Sequence, residues 1–128
     1  MNPEVKAKWL KALRSGEYRQ TRCMLRSSND AFCCLGVLCD IYTNEVQGWW
    51  EFDGYDQDGY YMVNYNKGEH SKLELPACVV EWAGLEECNP QVFVGDDTNS
   101  FSSFSTLSGL NDEGKDFEFI ADLIDRHL

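Results

Sequence analysis

The sequence predicts one compact α+β domain, in which a small antiparallel sheet packs with about four to five short helices. Its 128 residues suit a single domain, and 43% of them are hydrophobic, which is enough to build a core. Apolar residues recur at helical spacing near both ends, whereas the middle is rich in aromatic residues and glycine turns. No repeat, low-complexity run or linker divides the chain, so residues 1–128 are predicted to form one domain.

The first element is predicted to be a helix that begins at Pro3. Asn2 is a favourable N-cap residue, and proline is favoured at the first helical position. Gly16 follows the last apolar position, where a left-handed residue commonly ends a helix. The apolar stripe of this helix contains Val5, Trp9, Leu10 and Leu13.

The next elements surround the most apolar stretch of the chain. Residues 18–26 are typical of an extended segment, and the polar residues at 27–30 predict a turn. The apolar pattern of the following stretch, AFCCLGVLCDIY, does not by itself distinguish helix from strand for residues 33–39. Its length and the polar residues after it favour a short strand at 31–33 and a helix at about 34–44. Because this helix is apolar on nearly all sides, we expect it to be the centre of the core.

The middle of the chain is predicted to form a β-hairpin or a short meander. Aromatic residues alternate with Asp-Gly and Lys-Gly turns, which favours strands at about 49–53 and 59–65. Alternation along the first strand places Trp50 and Phe52 on one face and Trp49 on the other.

Two further elements follow this region. Pro76 and Gly84 bound a short helix predicted at 76–83. After an Asn-Pro break, residues 91–94 are predicted to form one more strand.

The carboxyl-terminal part is predicted to be helical. A short helix near 102–110 leads to a turn at 111–114, and Asp116 is a good N-cap for the last helix. The apolar face of that helix contains Phe117, Ile120, Ala121, Ile124 and Leu128.

The cysteines are predicted to be reduced thiols that pack as small hydrophobic residues. A disulfide framework needs a secretory context, and the amino-terminal sequence lacks the continuous apolar stretch of a signal peptide. There is no CxxC pair and no usual zinc spacing, so neither a metal nor a cofactor is predicted. We therefore expect a cytoplasmic protein. The six cysteines are Cys23, Cys33, Cys34, Cys39, Cys78 and Cys88.

The net charge of −11 restricts the partners that the protein can have. Residues 1–26 carry seven Lys or Arg against two acids, whereas residues 27–128 carry four against twenty. An acidic surface repels phosphates and anionic lipids, so we expect no direct binding of nucleic acid or membranes. The same surface attracts basic proteins.

Several motifs occur along the chain in one order, and together they resemble those of a widespread group of small uncharacterised proteins encoded by bacteriophages and prophages. The resemblance spans nearly the whole chain and implies a phage accessory protein that acts in the cytoplasm of the bacterial host. The group has no established activity, so the resemblance assigns no functional residue to this chain. The motifs are WLKALRSGEYRQ (9–20), CCLGVLCD (33–40), LP (75–76), EWAGL (81–85), NP (89–90), LNDEG (110–114) and IADLI (120–124).

The first candidate site is catalytic and rests on Cys33 and Cys34. One of these thiols is expected near the start of a buried helix, where the helix dipole favours thiolate. A cysteine hydrolase also needs a base, and the candidate is His70, although a position in a solvated loop explains that histidine better.

The second candidate site would bind a small anionic, nucleotide-like ligand and sequester it. Arginine side chains pair with phosphates, and aromatic rings stack on bases. The candidate residues are Arg19, Arg22, Trp49, Trp50 and Tyr55.

The third candidate site is acidic and gives our leading hypothesis. A non-enzymatic accessory protein of this charge is expected to bind and block a basic host or defence protein, including one that handles nucleic acid. The carboxyl-terminal helices also resemble part of a helix-turn-helix, but their acidic residues are unsuited to DNA. The oligomeric state is left open. The candidate partner-binding residues are Asp112, Glu113, Asp116, Glu118, Asp122 and Asp125.

Overall fold

The computed structural model describes residues 1–53, 59–64, 68–94 and 103–128. The helices in these ranges are α1 (Pro3–Arg14), α2 (Cys34–Glu45), α3 (Ala77–Ala83), α4 (Leu107–Glu113) and α5 (Phe117–His127). The strands are β1 (Arg19–Gln20), β2 (Ala31–Phe32), β3 (Trp49–Phe52), β4 (Tyr60–Asn64), β5 (Glu69–Ser71), β6 (Gln91–Val94) and β7 (Ser103–Thr106).

Helix α1 begins where the sequence predicts. Asn2 is its N-cap, and the Asn2 Oδ1 atom accepts a hydrogen bond from the backbone N–H of Glu4 at 2.9 Å. The Trp9 indole N–H donates to the carbonyl of Cys34 at 3.0 Å, which holds α1 against α2. The predicted stripe is confirmed as the inward face, with Val5, Trp9 and Leu13 buried and Leu10 partly buried.

Helix α2 is the centre of the core, as expected. Residues 34–39 are helical and fully buried, and Tyr42 is buried one turn further along. Cys33 has an extended backbone and is the N-cap of the helix. The short strand predicted before this helix is confirmed as β2.

The strands form three small sheets. The middle sheet has the order β3-β4-β5 and is antiparallel, which confirms the predicted meander. In its register Trp50 lies opposite Met62 and Phe52 opposite Tyr60, so both point to one face while Trp49 points to the other. Strands β1 and β2 pair in parallel, and strands β6 and β7 pair antiparallel.

The prediction of a helix near 102–110 is wrong for the first half of that segment. Residues 103–106 form β7, because they pair with β6 and place Phe104 opposite Phe93. Helix α4 starts only after Thr106, whose hydroxyl accepts from the backbone N–H of Gly109 at 3.1 Å. The predicted turn at 111–114 is likewise mostly the end of α4, which stops at Gly114 with a left-handed φ of 104°.

Two other segments differ from the sequence-based expectation. His70 belongs to β5 instead of a loop, because Val63 and His70 are partners in the antiparallel ladder. The extended segment predicted at 18–26 is a strand only at β1. Beyond β1 the backbone turns, since Cys23 has a left-handed φ of 64°.

The helices and sheets enclose one core, so the described residues form a single α+β domain. Helix α1 packs against α5 and α2, and α2 packs in turn against α3 and α4. Across the described ranges, none of the helices combines the length and the apolar character that crossing a membrane requires.

Gly36 marks a close contact between α2 and the segment before β2. A Cβ atom built on Gly36 would lie 1.8 Å from the carbonyl oxygen of Leu25, where no real atom fits. The Leu25 segment cannot move away easily, because its carbonyl accepts from the N–H of Cys33 at 3.2 Å and its N–H donates to the carbonyl of Lys72 at 2.8 Å.

We therefore expect Gly36→Ala to lower the free energy of unfolding by about 3 kcal/mol, because backbone must shift to admit one methyl group. Urea unfolding followed by circular dichroism measures this change. The control is Gly16→Ala. A Cβ atom at this position meets nothing within 4 Å, but alanine is strained at a φ of 76°. We expect this control to cost about 1 kcal/mol. Equal losses in the two variants would contradict the steric explanation.

Candidate functional site

Three of the sequence motifs meet at the buried side chain of Asn111. Its Oδ1 atom accepts from the backbone N–H of Cys34 at 3.2 Å and from the Gln20 side-chain amide at 2.8 Å. Its Nδ2 atom donates to the carbonyl of Thr21 at 2.7 Å. The residue is fully buried, so this one amide joins the start of α2, the end of β1 and α4. Sequence analysis placed Asn111 in a turn and missed this role.

A cleft of about 290 Å³ lies beside this junction. The backbone N–H of Cys23 donates to Asp112 Oδ1 at 2.8 Å on its rim. This hydrogen bond accompanies the left-handed backbone of Cys23, a conformation uncommon in residues other than glycine. Side chains with polar or sulfur atoms that line the cleft include Cys23, Met24, Cys33, Glu74, Ser108 and Asp112.

The candidate nucleophiles Cys33 and Cys34 are protonated at neutral pH. Burial raises the pKa of Cys33 to about 11, even though its sulfur accepts from the backbone N–H of Gly36 at 3.3 Å. Burial raises the pKa of Cys34 well above its usual value, and its thiol donates to the carbonyl of Leu107 at 3.5 Å. Since the thiolate is the nucleophile, burial here outweighs the activating effect of the helix start.

The candidate base His70 lies in a different cavity from Cys33. Together with Glu51, Tyr61 and Val63 it lines a depression of about 370 Å³ on the outer face of the middle sheet. Its ring packs edge-on against Tyr61, with 5.5 Å between the ring centroids. The depression at His70 includes neither candidate cysteine, and the cleft at Cys33 does not include His70.

The other cysteines divide into buried and exposed thiols, and all six are free. Burial raises the pKa of Cys39 well above its usual value. Burial and the nearby carboxylate of Glu69 raise the pKa of Cys78 to about 11. Cys23 and Cys88 are exposed.

The candidate ligand-binding residues are dispersed. The Arg19 guanidinium donates to the carbonyl of Asn29, and Arg22 lies against the end of α4 at Gly114. Trp49 and Trp50 point to opposite faces of β3. Tyr55 lies outside the described residues. Neither the cleft at Cys33 nor the depression at His70 is lined by any of these four described side chains.

Arg26, which sequence analysis did not select, is the arginine that contacts aromatic rings. Its guanidinium carbon lies 4.2 Å from the ring centre of Tyr60, 5.3 Å from that of Phe32 and 5.6 Å from that of Trp50. It also forms an ion pair with Asp30 at 2.7 Å. The aromatic cluster is thus occupied by a cation of the chain itself and stabilises the packing of the middle sheet.

Asp40 holds the same cluster to α2. Its carboxylate accepts from the Trp50 indole N–H at 3.0 Å and from the Tyr18 hydroxyl at 2.6 Å. Burial and this hydrogen bond together raise the pKa of Tyr18. The contacts around Trp50 are therefore structural ones within the domain.

Three of the candidate acidic residues surround one arginine. Arg14 on α1 lies 2.8 Å from Asp122, 3.7 Å from Glu118 and 3.8 Å from Asp125. These exposed pairs are worth little individually, but Arg14 offsets part of the negative charge of α5.

The remaining acidic candidates have other positions. Asp116 caps α5 by accepting from the N–H of Phe119 at 2.9 Å, and Asp112 is engaged with Cys23. Glu113 is exposed at the end of α4. Within the described ranges, no three His, Cys, Asp or Glu side chains are grouped so that they could hold a metal ion.

Comparison with known proteins gives one match. A family model described as Domain of unknown function (DUF8296) matches residues 1–128. No curated protein and no solved structure matches the chain.

Selective alkylation is expected from the burial of the thiols. In the native protein we expect iodoacetamide to modify Cys23 and Cys88 and to leave the four buried cysteines unmodified. Peptide mass spectrometry gives the modified positions, with all six cysteines reacting in urea as the control. Rapid native modification of Cys33 or Cys34 would instead support a nucleophilic role for the pair.

Stability is also expected to fall at alkaline pH. The folded state holds the Cys33 proton up to a pKa of about 11, whereas the usual value is 9.0. Between these pH values the folded state binds more protons than the unfolded state. The contribution of Cys33 to the free energy of unfolding is therefore fully present below about pH 9 and is lost as the pH rises toward 11. Cys33 alone contributes a loss of about 2 to 3 kcal/mol.

Urea unfolding at a series of pH values measures this loss. Cys33→Ser replaces the capping sulfur with a hydroxyl oxygen and has no thiol to ionise, so we expect a shallower decrease in stability. Cys23→Ser is the matched control at an exposed thiol and should keep the wild-type slope. Identical slopes for all three proteins would contradict the assignment to Cys33.

Proposed function

The chain belongs to the family described as Domain of unknown function (DUF8296), which supplies no activity to transfer, and we propose that it is a bacteriophage accessory protein that binds and blocks a basic protein. The partner is a host or defence protein whose basic surface handles nucleic acid. The protein works by binding, without catalysing a reaction, in the cytoplasm of the bacterial host. The phage context is supported by the order of the sequence motifs.

The observation that carries this proposal is the excess of exposed carboxylates. The net charge is −11, and the core that the helices enclose consists of apolar side chains. Several exposed glutamates form no ion pair with another described residue. They are Glu74, Glu81, Glu86, Glu87 and Glu113.

Charge of this kind favours one class of partner. An acidic surface accelerates encounter with a basic surface and repels nucleic acid and anionic lipids. A protein that binds phosphates presents clustered Lys and Arg side chains, and carboxylates can occupy the same positions. Because both surfaces are solvated, such binding weakens as salt screens the charges.

The state of the cysteines supports binding over catalysis. Cys33 and Cys34 are buried and protonated. The Cys33 sulfur caps the start of α2, and the Cys34 thiol donates to the carbonyl of Leu107 in α4. The dispersed positions of Arg19, Arg22, Trp49 and Trp50 give no support to nucleotide sequestration.

Affinity capture from bacterial lysate tests the proposal. We expect the tagged protein to retain one dominant basic protein at low salt and to release it at high salt. The purified partner should bind directly and lose its own nucleic-acid binding when the complex forms. The negative control is a bait with four exposed carboxylates neutralised, E86Q/E87Q/E118Q/D122N, which should retain much less partner. A partner that resists both salt and neutralisation would show that charge is not the basis of binding.

A further inference from the structure

A groove of about 280 Å³ lies where the segment after α3 meets the end of α5. Its apolar part includes Leu85 and Pro90, and its edges carry Glu86, Glu87 and His127. The groove is separate from the cysteine cleft and from the depression at His70.

Two phenylalanine rings lie next to His127 of this groove, and one of them, Phe104, is exposed. The His127 ring lies 6.4 Å from the ring of Phe93, and Phe93 packs edge-on against Phe104 at 5.6 Å. Phe104 is 69% exposed, the largest value among the exposed large hydrophobic residues of the described chain. An exposed aromatic patch next to a groove is typical of an interaction site. We call Glu86, Glu87, Phe93, Phe104 and His127 the docking surface.

The carboxylates of the docking surface differ from those of α5. Glu86 and Glu87 form no ion pair within the described ranges, whereas Arg14 lies within 4 Å of three carboxylates on α5. Within the described ranges no ion pair offsets the charge of the two glutamates, whereas the charge on α5 is partly offset.

We propose that the docking surface binds an arginine- or lysine-rich segment of the partner protein. This proposal rests on the proposed function and names the site and the chemistry of the contact. Guanidinium groups pair with the carboxylates of Glu86 and Glu87, and their planes stack on the rings of Phe93 and Phe104. The groove receives the apolar part of the same long side chains.

Charge complementarity favours a basic segment over a nucleic acid or a second copy of the chain. A nucleic acid would bring phosphates against Glu86 and Glu87. A second copy of the chain on a twofold axis would bring the carboxylates of both copies into one interface, because such an interface pairs one surface with itself. A basic segment satisfies both the carboxylates and the rings.

Titration with a defined peptide tests the docking surface. The probe is a short peptide of alternating arginine and glycine, and its control is a peptide of alternating glutamate and glycine. We expect saturable changes in the amide NMR spectrum that are confined to residues around Glu86, Phe93, Phe104 and His127. Changes centred on α5, concentration-dependent self-association through the surface, or no saturable change would each overturn the proposal.

Paired variants separate local contacts from overall charge. E86Q/E87Q and E118Q/D122N remove the same number of charges, but only the first pair lies on the docking surface. We expect E86Q/E87Q to weaken binding of the arginine peptide about fivefold and Phe104→Ala about threefold. E118Q/D122N should stay within about twofold of the wild type. Equal weakening by the two double variants would overturn the proposed location.

The same variants used as baits distinguish this inference from the proposed function. If E86Q/E87Q keeps the basic partner and E118Q/D122N loses it, the docking surface is wrong and the proposed function stands. If the wild-type bait retains no basic protein at any salt concentration, the proposed function is wrong.

Discussion

The structure depends on satisfying the start of a helix that lies inside the protein. The first N–H groups of α2 have no partner within the helix and are shielded from water, so other side chains must accept their hydrogen bonds. Asn111 accepts from Cys34, and the sulfur of Cys33 accepts from Gly36. The missing side chain at Gly36 allows the Leu25 segment to close over the same region. The CCLG and LNDEG motifs therefore occur together because they supply two halves of one buried contact.

This arrangement explains why the most distinctive residues of the chain are structural. A cysteine at the start of a helix suggests an activated thiolate when it is considered alone. In the folded protein the burial that makes α2 the centre of the core also keeps Cys33 and Cys34 protonated. The aromatic residues behave similarly, since Trp50 and Tyr60 pack around Arg26 and contribute to the packing of the middle sheet. The residues available for function are consequently those on the exterior.

On the exterior, the distribution of ion pairs matters more than the number of acids. Helix α5 has many carboxylates, but Arg14 on the neighbouring helix offsets part of their charge. Glu86 and Glu87 are fewer and line a groove together with His127, whose ring lies next to Phe93 and, through it, the exposed Phe104. Two carboxylates without an ion pair next to an apolar surface offer a partner both charge and buried area, which a solvated helix face with partly offset charge does not.

Local signals in the sequence determined the α+β class, the caps at Asn2 and Asp116, the central helix and the alternation of Trp49 and Trp50. Each depends on residues close together in the chain, so periodicity and capping chemistry are sufficient to predict it. Only the tertiary structure decided that residues 103–106 form a strand, that Asn111 joins three elements, and that Arg26 is the stacked arginine. It also showed which carboxylates are paired. These features require partners distant in sequence, such as Phe93 for Phe104 and Arg14 for Asp122, and no local pattern encodes which distant residues the fold brings together.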